Sequence, residues 1–322
     1  MNRISARPRL LGLICGAGAV GLGIAYMSAA GAPSRYMLMN LAALVLGASL
    51  WLALGRAASS QLTGTGAVTL ALAASLLLTA LFGLGVDGAA RWVSFGPLNL
   101  QVSLIVLPVM LVLYARQPDA MGTFGMIVAA LALAVQPDRA MAGVLAVGLL
   151  APLLSRRSRL SIIAAVGAVM TFGWTLLRPD ALPAVPFVDR ILYTAFDVHL
   201  AAGFAVVAGA VALVVPSAIA VRGAPSERPV LLAFGGCWLG IVVAAALGNY
   251  PTPLVGYGGS AVLGYMLSAA LLPNRIRAAS GASAGVPASQ QEEERRESHE
   301  EEAGSNSLDP GEPALMGATA GA

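Results

Sequence analysis

The chain carries little charge and no lysine. Only 11% of its 322 residues are charged, against about 25% in an average soluble protein, and all 19 basic residues are arginine. Hydrophobic residues make up 57% of the sequence, and the mean hydropathy is +0.79. This composition excludes a soluble enzyme or a nucleic-acid-binding domain as the main body. It predicts a membrane-integral protein.

Cysteine and histidine are almost as scarce, with two copies of each. Cys15 and Cys237 each lie inside an apolar run of membrane-span length, which argues against a structural disulfide. We expect both to be small, buried hydrophobic side chains. His299 stands alone among glutamates, so it does not indicate a metal site, and the metal ligands, if any, are unknown.

Long apolar runs predict an all-α polytopic integral membrane protein. With about 20 apolar residues per crossing, the sequence contains ten candidate spans: 9–28, 36–55, 66–85, 98–115, 120–136, 139–155, 159–177, 198–221, 229–248 and 257–273. An even number places both termini on one side. With the N-terminus inside, twelve arginines fall inside and five outside. The positive-inside rule therefore predicts that both termini are cytoplasmic.

The composition changes near the end of the last span. Residues 1–278 form the predicted ten-helix transmembrane domain, whereas residues 279–322 include the acidic run Gln291–Glu302. Such a polar segment cannot bury a hydrophobic core. We therefore predict a disordered acidic cytoplasmic tail, with a helical segment that binds a partner as the alternative.

The first segment of functional interest follows the third predicted span. Arg91 and Trp92 lie in it, at a predicted outer edge of the membrane. The pair can be an interfacial anchor, because tryptophan favours the headgroup layer and arginine can extend its charge to water. Alternatively, the planar guanidinium of Arg91 binds a phosphate or pyrophosphate headgroup.

The second segment is the turn Gln136–Arg139 between spans five and six. These spans are about 25 Å long, shorter than the roughly 30 Å hydrocarbon core, so the turn is expected to lie slightly inside the membrane. A carboxylate at that depth needs a partner, which Arg139 or Arg91 can supply. Alternatively, Asp138 is the N-cap of the sixth span, after Pro137 ends the fifth. The two interpretations are compatible.

The third segment, Asn249–Ser260, precedes the last span. Its two prolines interrupt a helix, and its glycines permit close approach of the backbone. The backbone amides and the hydroxyls of Tyr257 and Ser260 are then available to a polar ligand. The alternative is a turn followed by an ordinary helix start.

In this order, the three segments resemble the SEDS family (shape, elongation, division and sporulation), to which the bacterial FtsW, RodA and SpoVE proteins belong. The family's Arg-Trp loop and Gln-x-Ser helix start are similar to residues 88–92 and 101–103. Its Gln-Pro-Asp turn is similar to residues 136–138. Its Pro-x-Pro segment ending in Tyr-Gly-Gly-Ser is similar to residues 251–260, with Gly256 in place of a serine. The likeness covers residues 81–275.

The resemblance implies a glycosyltransferase that polymerises lipid II, a lipid-linked disaccharide, into peptidoglycan. Such an enzyme works at the outer face of the bacterial cytoplasmic membrane, beside a class B penicillin-binding protein, in cell division or cell shape determination. The family's catalytic acid lies before the eighth span, where Asp189 is the nearest match and Asp197 the second. The expected substrate-binding residues are Arg91, Trp92, Gln101, Asp138, Arg139, Tyr257 and Ser260. No cofactor is evident, although the family resemblance is compatible with a divalent cation.

Several positions depart from the family pattern. Leu104 and Leu107 replace a family glutamate and lysine, and the outer loop at about 178–197 is much shorter than in family members. Two alternatives to the polymerase follow. One is a non-catalytic SEDS-like protein that binds a polyprenyl lipid or a membrane partner and regulates envelope assembly. The other is a transporter of lipid-linked precursors.

The predicted orientation can be tested with reporter fusions. Because both termini are predicted to be cytoplasmic, alkaline phosphatase fused after Ala322 should be inactive in cells. The same reporter fused after residue 179, in a predicted outer loop, should be active. Activity of the C-terminal fusion would contradict the orientation.

Overall fold

The structure is a computed structural model that describes residues 7–57, 64–86, 89–95, 98–155, 157–179 and 182–274. The predicted acidic tail, 279–322, lies outside these residues. Gly88 of the predicted Arg-Trp motif also lies outside them.

The described residues form twelve α-helices and one small sheet. The helices are α1 Pro8–Ala29, α2 Ser34–Ala57, α3 Thr65–Phe82, α4 Val102–Arg116, α5 Ala120–Val135, α6 Arg139–Ser155, α7 Arg159–Leu176, α8 Ile191–Val198, α9 Leu200–Ala212, α10 Val215–Ala220, α11 Arg228–Leu247 and α12 Gly259–Ala270. Polar side chains begin several of them. Asp119 caps α5 and Ser158 caps α7, each accepting a hydrogen bond from the backbone amide three residues on.

Helix length and composition identify a multi-pass membrane protein. Within the described ranges, five segments are long and apolar enough to cross a membrane: Pro8–Ala29, Ser34–Gly55, Thr65–Phe82, Arg159–Leu176 and Pro225–Leu247. Five further apolar helices, α4, α5, α6, α9 and α12, are shorter. Each of the ten predicted spans therefore overlaps a helix. The number of crossings and their orientation remain predictions.

Helix α4 lies at the centre of the bundle. Most of its side chains are buried and the others are half-buried, and it packs against α3, α6, α11 and α12. Peripheral helices instead expose large apolar side chains, such as Leu81 on α3 and Met170 on α7. Exposed apolar residues on this scale are expected where a helix faces lipid.

The all-α prediction is wrong between α3 and α4. Strands β1 Leu84–Val86, β2 Ala89–Phe95 and β3 Leu98–Gln101 form an antiparallel three-stranded sheet with β2 in the middle. Residues 98–101, assigned by sequence to the fourth span, are therefore a strand. Pairing of Trp92 with Gln101 places β2 beside the start of α4, and this ladder satisfies backbone groups that a loop would leave unpaired.

The eighth predicted span is not one helix. It is divided into α9 and α10, and Pro216 in the first turn of α10 cannot donate the hydrogen bond that would join them. Asp197, the second match to the family's catalytic acid, lies in the last turn of α8. The N-cap of α9 is His199, whose ring nitrogen accepts from the Ala201 amide at 3.1 Å.

Two arginines satisfy carbonyl groups near helix C-termini. Arg9 donates to the carbonyls of Trp51 and Gly55 near the end of α2, at 3.0 and 3.1 Å. Arg116 donates to the carbonyl of Leu271, just after α12, at 2.6 Å. The last carbonyls of a helix lack backbone partners and carry negative partial charge, so a guanidinium is well suited to them.

A proline and a glycine bring α4 and α12 together. Pro108 has no N–H, so the carbonyl of Leu104 cannot receive the usual hydrogen bond within α4. Gly264 of α12 packs directly on that carbonyl, and a Cβ at Gly264 would collide with it. Small residues permit such close approach of helices in membranes.

We predict that Gly264→Ala destabilises the protein by about 1–3 kcal/mol, because the backbone atoms that it meets cannot move aside easily. Gly18→Ala is the matched control, since Gly18 is also inside a helix but a Cβ there meets nothing within 4 Å. That change should be neutral or stabilising by up to about 1 kcal/mol. The melting temperature in detergent measures both, and equal values for the two variants would contradict the packing argument.

Candidate functional site

The candidate site is built around the turn 251–258, which a buried amide holds in place. The side chain of Asn40 donates to the carbonyl of Gly256 at 2.7 Å and accepts from the amide of Gly258 at 3.0 Å. Asn40 is fully buried in α2. Sequence reasoning missed this residue, although an isolated amide in the middle of an apolar span is the signal that identifies it.

The loop 182–190 packs on the same turn. The amide of Tyr257 donates to the carbonyl of Phe187 at 2.7 Å, and the amide of Thr252 donates to the carbonyl of Val188 at 2.9 Å. Asp189 pairs with Pro251 in an isolated antiparallel bridge. Backbone hydrogen bonds therefore hold the loop 182–190 against this turn.

Close packing explains the glycine at position 256, where the family pattern has a serine. A Cβ on Gly256 would lie 2.6 Å from the Cδ1 atom of Ile191 and 2.9 Å from the carbonyl oxygen of Thr252. No side chain fits there without a shift of its neighbours. In this chain, the short loop and α8 occupy the space that a serine side chain would need.

The aromatic side chains beside the turn form a small stack. The ring of Tyr257 lies parallel to that of Tyr36, with a centroid separation of 4.0 Å and an interplanar angle of 14°. Phe187 meets Tyr36 edge to face at 6.1 Å. The Tyr36 ring of α2 therefore contacts both the turn 251–258 and the loop 182–190.

The prediction that the segment Asn249–Ser260 has free backbone amides is wrong for residues 252 and 255–258. The amides of residues 255–258 all donate to groups within the protein. The hydroxyl of Ser260 accepts from the Gln101 amide at 2.9 Å, so it joins the start of α12 to the start of α4. Buried backbone groups must be paired, and here the protein supplies the partners that the prediction assigned to a ligand.

Asp189, the predicted catalytic residue, is mostly buried at 8% exposure. Its Oδ2 accepts a hydrogen bond from the Val185 amide at 2.8 Å. Burial raises the pKa of the Asp189 carboxyl above its ordinary value, while the hydrogen bond from Val185 acts in the opposite direction. A raised pKa brings a carboxyl closer to the range in which it exchanges protons near neutral pH.

Asp138 is the centre of a second, fully buried cluster. Its Oδ2 accepts from the hydroxyl of Ser103 at 3.1 Å and from the side-chain amide of Gln101 at 3.4 Å. Its Oδ1 accepts from the Met141 amide at 3.2 Å, which confirms the predicted capping of the sixth span. The exposed fraction of Asp138 is 0%, so the carboxylate depends on these donors in place of water.

The predicted arginines behave differently from one another. Arg91 is buried and donates to the carbonyl of Pro137 at 2.5 Å, so strand β2 is tied to the turn that carries Asp138. Arg139 donates to the carbonyl of Arg178 at 2.8 Å. This hydrogen bond links the start of α6 to the loop after α7. Trp92, beside Arg91, is half-buried. The structure therefore brings Arg91 to the Asp138 turn through a backbone carbonyl.

A narrow crevice lies between residues that belong to the two parts of the site. It is lined by Gln101 from the Asp138 cluster and by Pro251, the bridge partner of Asp189, together with Leu104, Ala140, Met141, Ile241, Ala244 and Tyr250. Its volume is about 10 Å³, which is space for roughly one water molecule. Leu104, which replaces the family glutamate, contributes an apolar wall.

The described part of the chain does not bring together a cluster of side chains typical of a divalent-cation site. Among the described residues, no group of three or more His, Cys, Asp and Glu side chains lies close enough to hold a metal ion. Magnesium and calcium prefer several oxygen ligands, whereas the Asp138 and Asp189 carboxylates each accept hydrogen bonds from protein donors.

Comparison with known proteins identifies the fold. No protein-family model and no curated protein sequence matches the chain. The crystal structure of the rod shape determining protein RodA of Thermus thermophilus is similar, with a TM-score of 0.59 and 21% identity, covering 81% of this chain and 94% of that one. A mutant of the same protein, with one aspartate changed to alanine, gives a TM-score of 0.58 and 20% identity over 81% and 95%. The chain therefore has a RodA-like, SEDS-type fold.

We predict that Asp138→Asn lowers the free energy of unfolding by about 1–3 kcal/mol, because an amide group cannot accept all of the hydrogen bonds that this carboxylate accepts. Asp119→Asn is the matched control, since Asp119 also caps a helix but lies outside the cluster. Asparagine and aspartate are nearly equivalent as N-caps, so the control should change stability by less than about 0.5 kcal/mol.

Thermal melting of the two variants in the same detergent makes the comparison. Equal melting temperatures of the two variants would show that Asp138 stabilises the protein only as a helix cap.

Proposed function

We propose that this chain is a glycosyltransferase of the bacterial cytoplasmic membrane that extends a peptidoglycan strand from lipid II. The observation that carries this proposal is the placement of Asp189. Its carboxyl group has a raised pKa and lies on a short loop that is hydrogen-bonded to the turn 251–258. The RodA-like fold agrees with a role in cell shape determination.

In the proposed reaction, Asp189 acts as the general base. Its carboxylate takes the proton of the acceptor hydroxyl while that oxygen forms a bond to the anomeric carbon of the lipid-linked sugar. The bond from this carbon to the diphosphate breaks, and the polyprenyl diphosphate leaves. The side chain of Arg139, half-buried at the start of α6, provides positive charge for the departing diphosphate.

The Asp138 cluster supports this chemistry by fixing the elements around the crevice. Arg91 and Gln101 attach β2 and β3 to the turn before α6, and Ser260 attaches α12 to the backbone of Gln101 at the end of β3. Preorganised groups of this kind reduce the rearrangement that a reaction requires. We therefore assign Arg91, Gln101, Asp138 and Ser260 to positioning rather than to direct contact with the reacting atoms. Tyr257 and Trp92 border the site without an assigned chemical step.

A second candidate function is a non-catalytic SEDS-like protein that binds a polyprenyl lipid or a membrane partner and regulates envelope assembly. The narrowness of the crevice favours it, because about 10 Å³ admits no sugar without a rearrangement. The apolar Leu104 and Leu107 favour it as well, since both are buried where the family has charged groups. The transport alternative gains no support from the described part of the chain.

The decisive assay is polymerisation of fluorescent lipid II by the purified full-length chain, alone and with a co-purified class B penicillin-binding protein. If Asp189 is the base, Asp189→Asn should lower the rate about 100-fold or more. Asparagine retains an oxygen that can accept the Val185 hydrogen bond, so the loop should stay folded.

Asp197→Asn is the comparison variant, because Asp197 is exposed in the last turn of α8. Its rate should remain within about twofold of the wild type, as expected for an exposed residue away from the reaction. Full activity of Asp189→Asn would remove this residue from the mechanism. A well-folded wild type without activity, in the presence of its partner, would favour the regulatory function.

A further inference from the structure

Helices α6 and α11 extend from the candidate site to the opposite end of the bundle. Helix α6 begins at the turn of Asp138, and α11 ends just before the turn 251–258. The two helices pack against each other, and a Cβ at Gly240 of α11 would lie 3.2 Å from the side chain of Val144 of α6. Because α6 runs away from the site and α11 runs toward it, the end of α6 meets the start of α11 at the far end of the bundle.

Three exposed arginines flank that meeting point. Arg157 follows the end of α6, Arg222 follows the end of α10, and Arg228 is the first residue of α11. In the described part of the chain, no hydrogen bond or ion pair engages their side chains. Arg9 and Arg116, by contrast, donate to helix carbonyls. The three guanidinium groups therefore remain available to a ligand.

An apolar strip continues from these arginines along one face of α11. Leu239 and Val243 are exposed, and Leu232 is half-buried. With about 3.6 residues per turn, Leu232 and Leu239 lie on the same face of the helix as Arg228. The charged group therefore stands at the end of a surface that is suited to hydrocarbon.

Helices α6 and α10 form the two sides of this strip. A Cβ at Gly235 would meet the side chain of Ser217 of α10. A Cβ at Gly236 would instead meet Val147 of α6. Val147 is exposed, as is Leu154 nearer to the end of α6. The two glycines keep the floor of the strip low between its sides, and we call the strip, with α6 and α10 beside it, the α11 groove.

The arginines and the groove select one class of ligand. A guanidinium binds phosphate oxygens through two parallel N–H donors, and basic residues at a membrane edge attract anionic lipid headgroups. The apolar floor suits an acyl chain, which free phosphate lacks. A phospholipid with a negatively charged headgroup satisfies both parts of this surface.

We propose that the α11 groove binds an anionic phospholipid, with its phosphate at Arg157, Arg222 and Arg228 and an acyl chain along α11. The groove lies at the opposite end of the bundle from the loop of Asp189, so the proposal is independent of glycosyl transfer. Residues of α6 and α11 also line the crevice of the candidate site. A lipid that bridges these helices at their far end therefore stabilises the pair on which the crevice is built.

The test is binding of dioleoyl phosphatidylglycerol to the purified full-length chain in detergent, measured by native mass spectrometry and by melting temperature. Dioleoyl phosphatidylcholine has the same acyl chains without net negative charge, so it should bind more weakly and stabilise the protein less. The triple variant R157Q/R222Q/R228Q removes the three guanidinium groups. It should weaken binding of the anionic lipid about tenfold or more.

Two further variants control for total charge and for folding. R35Q/R178Q/R190N removes three exposed arginines at the other end of the bundle, and asparagine tolerates the left-handed backbone of residue 190. Its binding of the anionic lipid should stay within about twofold of the wild type, because these arginines lie far from the groove. Glu227→Gln removes the negative charge next to Arg228, and no cap hydrogen bond is lost because the Glu227 side chain makes none. It should tighten binding about twofold or more.

Weaker binding in R157Q/R222Q/R228Q but not in the control triple variant, with tighter binding in Glu227→Gln, would support the proposal. Equal losses in the two triple variants would overturn it, since total charge alone would then explain binding. Equal binding of the two lipids by the wild type would overturn it as well. Soluble sn-glycerol 3-phosphate carries the headgroup phosphate without acyl chains, and displacement of the lipid by this compound would overturn it in favour of a simple anion site.

Discussion

The two hydrogen bonds of Asn40 support the organisation of the whole site. They fix the turn 251–258 inside an apolar bundle, where each backbone group needs a partner. The loop of Asp189 is hydrogen-bonded to that turn, and Ser260 after it accepts from Gln101. Gln101 in turn reaches Asp138. A single amide on α2 thus sets the position of both carboxylates, although it touches neither of them.

Much of the fold could be predicted from the sequence because lipid imposes a simple rule on it. Apolar runs must form helices, and each of the ten predicted spans overlaps a helix in the structure. The three-stranded sheet could not be predicted in this way, since its strands are short and show only weak alternation of polar and apolar residues. The break between α9 and α10 was also missed. Pro216 is apolar, so it does not lower the hydropathy of the span, although it removes a backbone hydrogen bond of the helix.

The site was predictable where charge had to be buried. A carboxylate between two short spans indicated a buried Asp138 with Arg139 or Arg91 as its partner. Asp138 is buried, but the side chains that donate to it are those of Gln101 and Ser103. The amides of the turn 251–258 were wrongly expected to be free, because sequence does not show which distant chain segment supplies a partner. Asn40 lies more than two hundred positions earlier in the chain. Such pairing depends on helix packing, which no local pattern specifies.

The contact between Gly264 and the Leu104 carbonyl has a consequence for biogenesis. Helices enter the membrane in the order of their synthesis, so α4 arrives long before α12. Until α12 is inserted, the Leu104 carbonyl lacks its covering neighbour, and Gln101 lacks the Ser260 hydroxyl. The central helix therefore completes its packing only after α12 has been synthesised. Assembly of the site follows the synthesis of at least the 159 residues that lead from Gln101 to Ser260.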